Sequence, residues 1–156
     1  MGCCTSSDNQ LNYQASWNAS QSGDSSSVQR LGRFEHLTED DKLYQCFLSY
    51  LLKEFAEENL LFYMRVHKFQ HTQFANETQM SEEARSIADD FLGTGSKIEI
   101  LNVRPDHKRE IVFHLYDNSV TSELFYAAKV DIETMLRTKY LRFCEQDTLL
   151  LRTKEH

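Results

Sequence analysis

Apolar residues in the first half of the chain follow the period of an α-helix in two successive stretches. Between residues 43 and 55 they recur every three or four positions, which predicts one face of an amphipathic helix. The members of this face are Tyr44, Phe47, Leu48, Leu51, Leu52 and Phe55. Between residues 60 and 69 the apolar positions cover most of the helix circumference, which predicts a helix buried among others. Thr38 precedes the first helix as its predicted N-cap, with acidic residues in the following turn.

The second half of the chain predicts further helices joined by short polar segments. A helix is expected near residues 80–92, with Ser81 as its N-cap. The stretch around Ile98 and Ile100 alternates like a strand, but it is short and has no evident partner, so we expect an extended loop. Pro105 is typical of the first turn of a helix, and one or two more helices follow it. The pattern therefore predicts an all-α fold with about five to seven helices.

The first residues of the chain differ in composition from the remainder. They are rich in Ser, Asn, Gln and Asp, and their apolar residues show no period. Such a segment cannot bury enough apolar surface to offset the entropy lost on ordering. We therefore expect a disordered N-terminal tether over residues 1–29, followed by a helical domain over residues 31–156.

Charge and motif content exclude several classes of function. The net charge is −7 and the pI is about 5.3, which is unfavourable for nucleic-acid binding. The sequence lacks the glycine-rich nucleotide loops, the nucleophile elbow and the HExxH zinc motif. His67 and His71 have a spacing that suits a metal, but no third ligand has a recognisable spacing, so two surface histidines are the better interpretation. We expect no cofactor, no metal and no enzymatic activity of the chain itself.

One run, FLSYLLKEFAEENLLFYMRVHKF over residues 47–69, joins the two apolar helices through a polar break. Glu58 and Asn59 lie where the second helix begins, so we expect both side chains to be exposed. They either cap the helix or present hydrogen-bonding groups to a partner.

This run resembles the regulator-of-G-protein-signalling (RGS) domain, whose helices carry a phrase of the form FLxxEFxEENxxFW, although Tyr63 stands where the family usually has Trp. Three shorter pieces are similar to RGS sequences in the same order. Residues 99–102 resemble the family's Glu-Val-Asn loop, residues 108–110 its Thr-Arg-Glu, and residues 140–143 its Tyr-x-Arg-Phe. The resemblance covers residues 31 to about 150 and implies an RGS-type helical bundle.

The resemblance implies a function in G-protein signalling. RGS domains bind the GTP-bound α subunit (Gα) of a heterotrimeric G protein and accelerate its GTP hydrolysis by stabilising the transition-state conformation. The Gα-binding residues carried over by the resemblance are Glu58, Asn59, Asn102, Thr134, Thr138, Lys139 and Arg142. Thr138 stands where an acidic residue is usual, Thr134 where leucine is usual, and Lys139 where serine is usual. The alternative is therefore a membrane-tethered RGS-like binding or scaffold module without GTPase-activating activity.

The N-terminus, MGCCTS, matches the N-myristoylation pattern, with Gly2 exposed once the initiator methionine is removed. A single myristoyl chain gives only marginal membrane binding, and Cys3 and Cys4 are the evident second signal as S-palmitoylation sites. We expect a monomer anchored by these lipids at the cytoplasmic face of the plasma membrane, with a further pool in the cytosol. An inert start to the tether is the alternative.

Overall fold

A computed structural model describes residues 33–93, 95–96 and 98–153 of the protein, with side chains as far as residue 146. These residues form a 3₁₀ helix, Phe34–Thr38, and five α-helices. The α-helices are α1 (Asp41–Lys53), α2 (Glu57–His71), α3 (Glu77–Phe91), α4 (Pro105–Tyr116) and α5 (Tyr126–Thr153). No strand occurs in the described part of the chain, and the all-α prediction is confirmed. The predicted tether, residues 1–29, lies outside the described residues.

Both predicted N-caps, Thr38 and Ser81, are wrong. Thr38 ends the 3₁₀ helix, and its Oγ1 donates a hydrogen bond to the Glu35 carbonyl at 3.0 Å. The N-cap of α1 is Asp40, whose carboxylate accepts from the second and third helical amides at 2.9 and 3.0 Å. Ser81 lies inside α3, whose N-cap is Asn76 with its side-chain oxygen 2.8 Å from the amide three residues on. Asp and Asn cap helices as well as Ser and Thr do, so the polar segments offered several candidate starts.

The chain divides into two compact units. The terminal unit comprises Met1–Ala56 and Arg137–His156, and the middle unit comprises Glu57–Leu136. Helix α5 begins in the middle unit and ends in the terminal unit. The domain bounds expected above, 1–29 and 31–156, remain a prediction.

The core of the terminal unit is built from aromatic rings. Phe47 of α1 is fully buried, and its ring meets the Tyr140 ring edge-on, with centroids 5.2 Å apart. Phe34 of the 3₁₀ helix meets the same tyrosine at 5.8 Å, and Phe143 lies 5.5 Å from Phe47. Edge-on and tilted ring pairs stabilise a core beyond the area that they bury. These contacts join the 3₁₀ helix, α1 and the C-terminal half of α5.

Helix α2 supplies much of the core of the middle unit. Its buried side chains are Asn59, Leu60, Phe62, Tyr63, Val66 and Phe69. The Phe62 ring lies 5.6 Å from the Phe91 ring of α3 and 6.4 Å from the Phe125 ring. Phe69 contacts Phe125 as well, at 5.4 Å. The prediction that this helix is buried among others is confirmed for these residues, whereas the predicted Leu61 and Met64 are half-buried.

The described residues around Ile98 and Ile100, between α3 and α4, form a loop and not a strand, as the sequence predicts. The amides of Ile98 and Ile100 donate to carbonyls at the end of α3, at 3.3 and 3.0 Å. Ile100 and Val103 are buried, whereas Leu101 and Asn102 between them are exposed. Two apolar anchors therefore hold the loop while two consecutive side chains point outward.

Candidate functional site

Three of the predicted site residues in the middle unit are joined by hydrogen bonds. Glu58 and Asn59 lie in the first turn of α2, and Asn102 lies in the loop before α4. Asn102 Nδ2 donates to Asn59 Oδ1 at 3.1 Å, and Asn59 Nδ2 donates to Glu58 Oε1 at 2.9 Å. The fold thus brings together residues that are 43 positions apart in the sequence. We refer to these three residues as the Asn102 network.

The three residues of the Asn102 network differ in burial. Asn59 is fully buried, so the expectation that it is exposed is wrong. It lies on the face of α2 that packs into the core, where an unpaired amide costs free energy. Glu58 is half-buried and Asn102 is exposed. The buried amide therefore holds the loop asparagine from the interior, while the Asn102 side chain faces the surface.

Thr134 is the remaining predicted site residue of the middle unit. Its side chain is exposed on α5, and its Oγ1 donates to the Val130 carbonyl at 3.0 Å. This hydrogen bond lies within its own helix, one turn back along the chain.

The terminal unit carries the other three predicted residues on α5. Thr138 and Arg142 are exposed and lie four positions apart, so they share one face of the helix. Lys139 is half-buried, and its Nζ donates to Glu54 Oε2 at 2.9 Å. Where the family usually has a serine, this chain thus has a cation that forms an ion pair with the residue following α1.

Tyr50 reports on the charges around this ion pair. Burial raises the pKa of the Tyr50 hydroxyl, and the nearby Glu54 carboxylate raises that pKa further. The positive charges of Lys139 and Arg142 act in the opposite direction on the same pKa. Arg142 thus belongs to the charges that act on Tyr50, within the same unit as Glu54.

Phe55 is a candidate site residue that the sequence reasoning missed. Helical periodicity assigned it to the buried face of the first helix, and this is wrong because α1 ends at Lys53 and the Phe55 side chain is 89 % exposed. Its φ of 52° is left-handed. The amides of Phe55 and Ala56 donate to the carbonyls of Leu52 and Leu51 at 3.4 and 3.0 Å.

These two hydrogen bonds form a Schellman motif, in which glycine usually occupies the left-handed position. A phenylalanine there adds a steric cost, and its exposed ring gains little from burial. Strained residues of this kind cluster at binding sites. In the middle unit, the Leu101 side chain directly before Asn102 is also exposed, with 78 % of its surface accessible.

Comparison with known proteins identifies the family. The model of the family "Regulator of G protein signaling domain" matches residues 33–150, a range that contains all seven predicted Gα-binding residues. The chain belongs to the RGS domain family.

Two curated relatives are similar to this RGS domain. Regulator of G-protein signaling 10 of Homo sapiens is 32% identical over 99 residues, which cover 64% of this chain and 46% of the relative. The protein of the same name in Mus musculus is 36% identical over 66 residues, covering 42% of this chain and 35% of the relative. The chain therefore spans less than half the length of the curated relatives that it matches.

His67 and His71 are close together in this RGS domain. The His67 and His71 rings lie 4.2 Å apart, and burial, together with the charges of Lys129 and His71, lowers the pKa of His67. Among the described residues, no group of three or more His, Cys, Asp or Glu side chains is arranged to hold a metal ion.

Within the described part of the chain, no helix has the length and apolar character needed to cross a bilayer. Gly2, Cys3 and Cys4 lie outside this part, so their lipidation stays a prediction.

Proposed function

We propose that this RGS domain binds the GTP-bound Gα subunit of a heterotrimeric G protein and accelerates its GTP hydrolysis. In this proposal it stabilises the transition-state conformation of the Gα switch segments. The observation that carries the proposal is the exposed Asn102 side chain, held at 3.1 Å by the buried Asn59 amide. The domain contributes no hydrolytic group of its own, because Gα supplies its own arginine and glutamine.

Preorganisation is the physical reason that a single asparagine can accelerate the reaction of another protein. An asparagine on a free loop loses rotamer freedom when it binds, whereas the hydrogen bond to Asn59 already restrains Asn102. The Asn102 amide retains a second N–H donor and its carbonyl oxygen for a partner. Hydrogen bonds that these groups make only with the transition-state conformation raise the rate of hydrolysis.

The terminal unit by itself offers a cation and an apolar ring that suit a protein partner. Arg142 is exposed and presents guanidinium donors suited to carboxylate or carbonyl oxygens. Phe55 is 89 % exposed and supplies the kind of aromatic anchor that dominates the binding energy of many interfaces.

Thr138 favours the second candidate function, a membrane-tethered RGS-like binding or scaffold module without GTPase-activating activity. It is exposed and uncharged at a position where the family usually has an acidic residue. Losing one charge-assisted contact of about 1.5–3 kcal/mol weakens binding by roughly one to two orders of magnitude. Conversely, Thr138→Asp should lower the Kd for Gα in its transition-state-like form by about tenfold or more. An unchanged Kd would contradict the argument that Thr138 weakens binding.

Single-turnover GTP hydrolysis by Gα, with and without the protein, tests the proposed function. Acceleration by the wild type and its loss in Asn102→Ala are the expected results. The matched control is Gln73→Ala, which removes an exposed amide side chain elsewhere in the middle unit and should leave acceleration intact. Absence of acceleration across a panel of Gα subunits, together with retained binding to them, would favour the scaffold function instead.

The same proposal includes a lipid anchor at the cytoplasmic face of the plasma membrane. Its support is the sequence, in which Gly2 matches a myristoylation site and Cys3 and Cys4 provide the second acylation signal. Anchoring on the surface where Gα resides raises the effective concentration of the domain and offsets a weak direct contact. Gly2→Ala should shift the protein from the membrane fraction to the cytosol, and a variant that stays on the membrane would refute this anchor.

A further inference from the structure

The loop that carries Asn102 ends where α4 begins, and this end of α4 lacks a cap of its own. Arg104 is the N-cap residue, and its side chain makes no capping hydrogen bond to the helix. Pro105 follows as the first helical residue and has no amide hydrogen to satisfy. In a capping box, the side chain of the third helical residue accepts a hydrogen bond from the N-cap amide. Here the third helical residue is His107, so the acceptor has to come from elsewhere.

Helix α5 supplies the missing acceptor from within the same unit. Asp131 Oδ2 accepts a hydrogen bond from the Arg104 amide at 3.1 Å and lies 2.6 Å from His107 Nδ1. One carboxylate oxygen thus contacts both the N-cap and the third residue of α4. Only 15 % of the Asp131 side chain is accessible, and 20 % of the His107 side chain, so water competes weakly for these contacts.

The opposite end of the loop has separate anchors. Ile100 is fully buried, and its carbonyl accepts a hydrogen bond from Lys108 Nζ at 2.6 Å. Between this anchor and the Asp131 contact lie only residues 101–103, of which Val103 is buried. Asn102 therefore sits at the exposed centre of a short span that is fixed on both sides, two residues before the amide that Asp131 holds.

We propose that Asp131 is a positioning residue that fixes the 101–104 segment and so orients Asn102. The consequence for GTP hydrolysis rests on the function proposed above, whereas the effect on the loop does not. Asp131 acts through the backbone of Arg104, and the hydrogen bond from Asn102 to Asn59 completes the orientation.

Two substitutions in the full chain separate the hydrogen bond from the fold. Asp131→Ala removes the acceptor, whereas Asp131→Asn keeps an oxygen that can accept from the Arg104 amide. The matched control is Asp89→Ala, which deletes an exposed carboxylate on α3 in the same unit. Amide hydrogen exchange measured by NMR reports on the loop without any partner protein.

The expected result in Asp131→Ala is faster exchange of the Arg104 amide by about tenfold or more, with unchanged exchange in the middle of α2. Asp131→Asn should restore most of the protection, and Asp89→Ala should match the wild type. A general loss of stability would speed exchange throughout the unit instead, and that pattern would overturn the proposal. Unchanged exchange at Arg104 in Asp131→Ala would overturn it as well.

Single-turnover GTP hydrolysis by Gα tests whether Asp131 also affects function. If the wild type accelerates hydrolysis, Asp131→Ala should reduce the maximal acceleration by about tenfold, and Asp131→Asn should recover it. Full acceleration by Asp131→Ala despite a loosened loop would refute the orienting role. If the wild type gives no acceleration, the proposed function fails, and the exchange experiment alone decides whether Asp131 fixes the loop.

Discussion

Replacing Asn59 by alanine should show how much the hydrogen bonds that join Asn102, Asn59 and Glu58 contribute to stability. The hydrogen bond from Asn102 joins two neutral amides and contributes about 0.5–1.5 kcal/mol. The bond to Glu58 involves a carboxylate on a half-buried side chain, so solvent screening places it near the lower end for charged groups, about 1.5 kcal/mol. Truncation also leaves a small cavity, because Asn59 is fully buried. Together these losses should lower the free energy of unfolding by about 2–4 kcal/mol.

Urea denaturation followed by circular dichroism measures this loss. Asn102→Ala is the matched comparison: its side chain is exposed, so the loss should be no more than about 1.5 kcal/mol. The double variant should show a coupling of about 0.5–1.5 kcal/mol between the two positions, since they share a hydrogen bond. A loss below about 1 kcal/mol in Asn59→Ala, or no measurable coupling, would refute the assignment of Asn59 as the buried support of the loop.

Three further predictions concern the terminal unit. Phe47→Ala should cost about 3–5 kcal/mol in urea denaturation, because the buried ring contacts Tyr140 at 5.2 Å; a loss under about 1 kcal/mol would contradict the aromatic core. Phe55→Gly should leave the free energy of unfolding within about 1 kcal/mol of wild type, because glycine relieves the left-handed backbone. The same variant should weaken Gα binding by about tenfold or more, and unchanged affinity would exclude a contact between Phe55 and Gα. A hydrogen bond from Arg137 holds the pKa of Glu35 below its usual 4.5. The wild type should therefore be more stable than Glu35→Gln above pH 4.5, and this difference should vanish as the pH falls through the lowered pKa. A stability difference between the wild type and Glu35→Gln that persists below the lowered pKa would refute the Arg137 hydrogen bond as its cause.

The helices of the domain could be predicted from local patterns, whereas the exposure of individual side chains could not. The apolar face that begins at Tyr44 forms α1, and Pro105 begins α4 as expected. Phe55 belongs to the same periodic pattern as Phe47, yet one side chain is exposed and the other is buried. The difference arises because the helix ends two residues before Phe55 and the backbone turns left-handed there. Periodicity carries no information about where such a turn occurs.

The candidate site shows the same division. The resemblance to RGS sequences selected Glu58, Asn59 and Asn102 as residues of one function, but it did not indicate which of them is buried. Hydrogen bonds over a separation of 43 residues decide that Asn59 lies inside and Asn102 outside. Lys139 is similar: the sequence shows an unusual cation, and the structure shows that Glu54 neutralises it at 2.9 Å.

By itself, the sequence determined the helical class and the RGS family, because helical period and short motifs are local properties of the chain. Tertiary structure alone decided how Asn102 is held. Its loop depends on a buried amide from α2 and on the Asp131 carboxylate from α5, and neither is near Asn102 in sequence. Buried polar groups must find partners wherever the packed chain offers them, so their pairing follows from the fold as a whole.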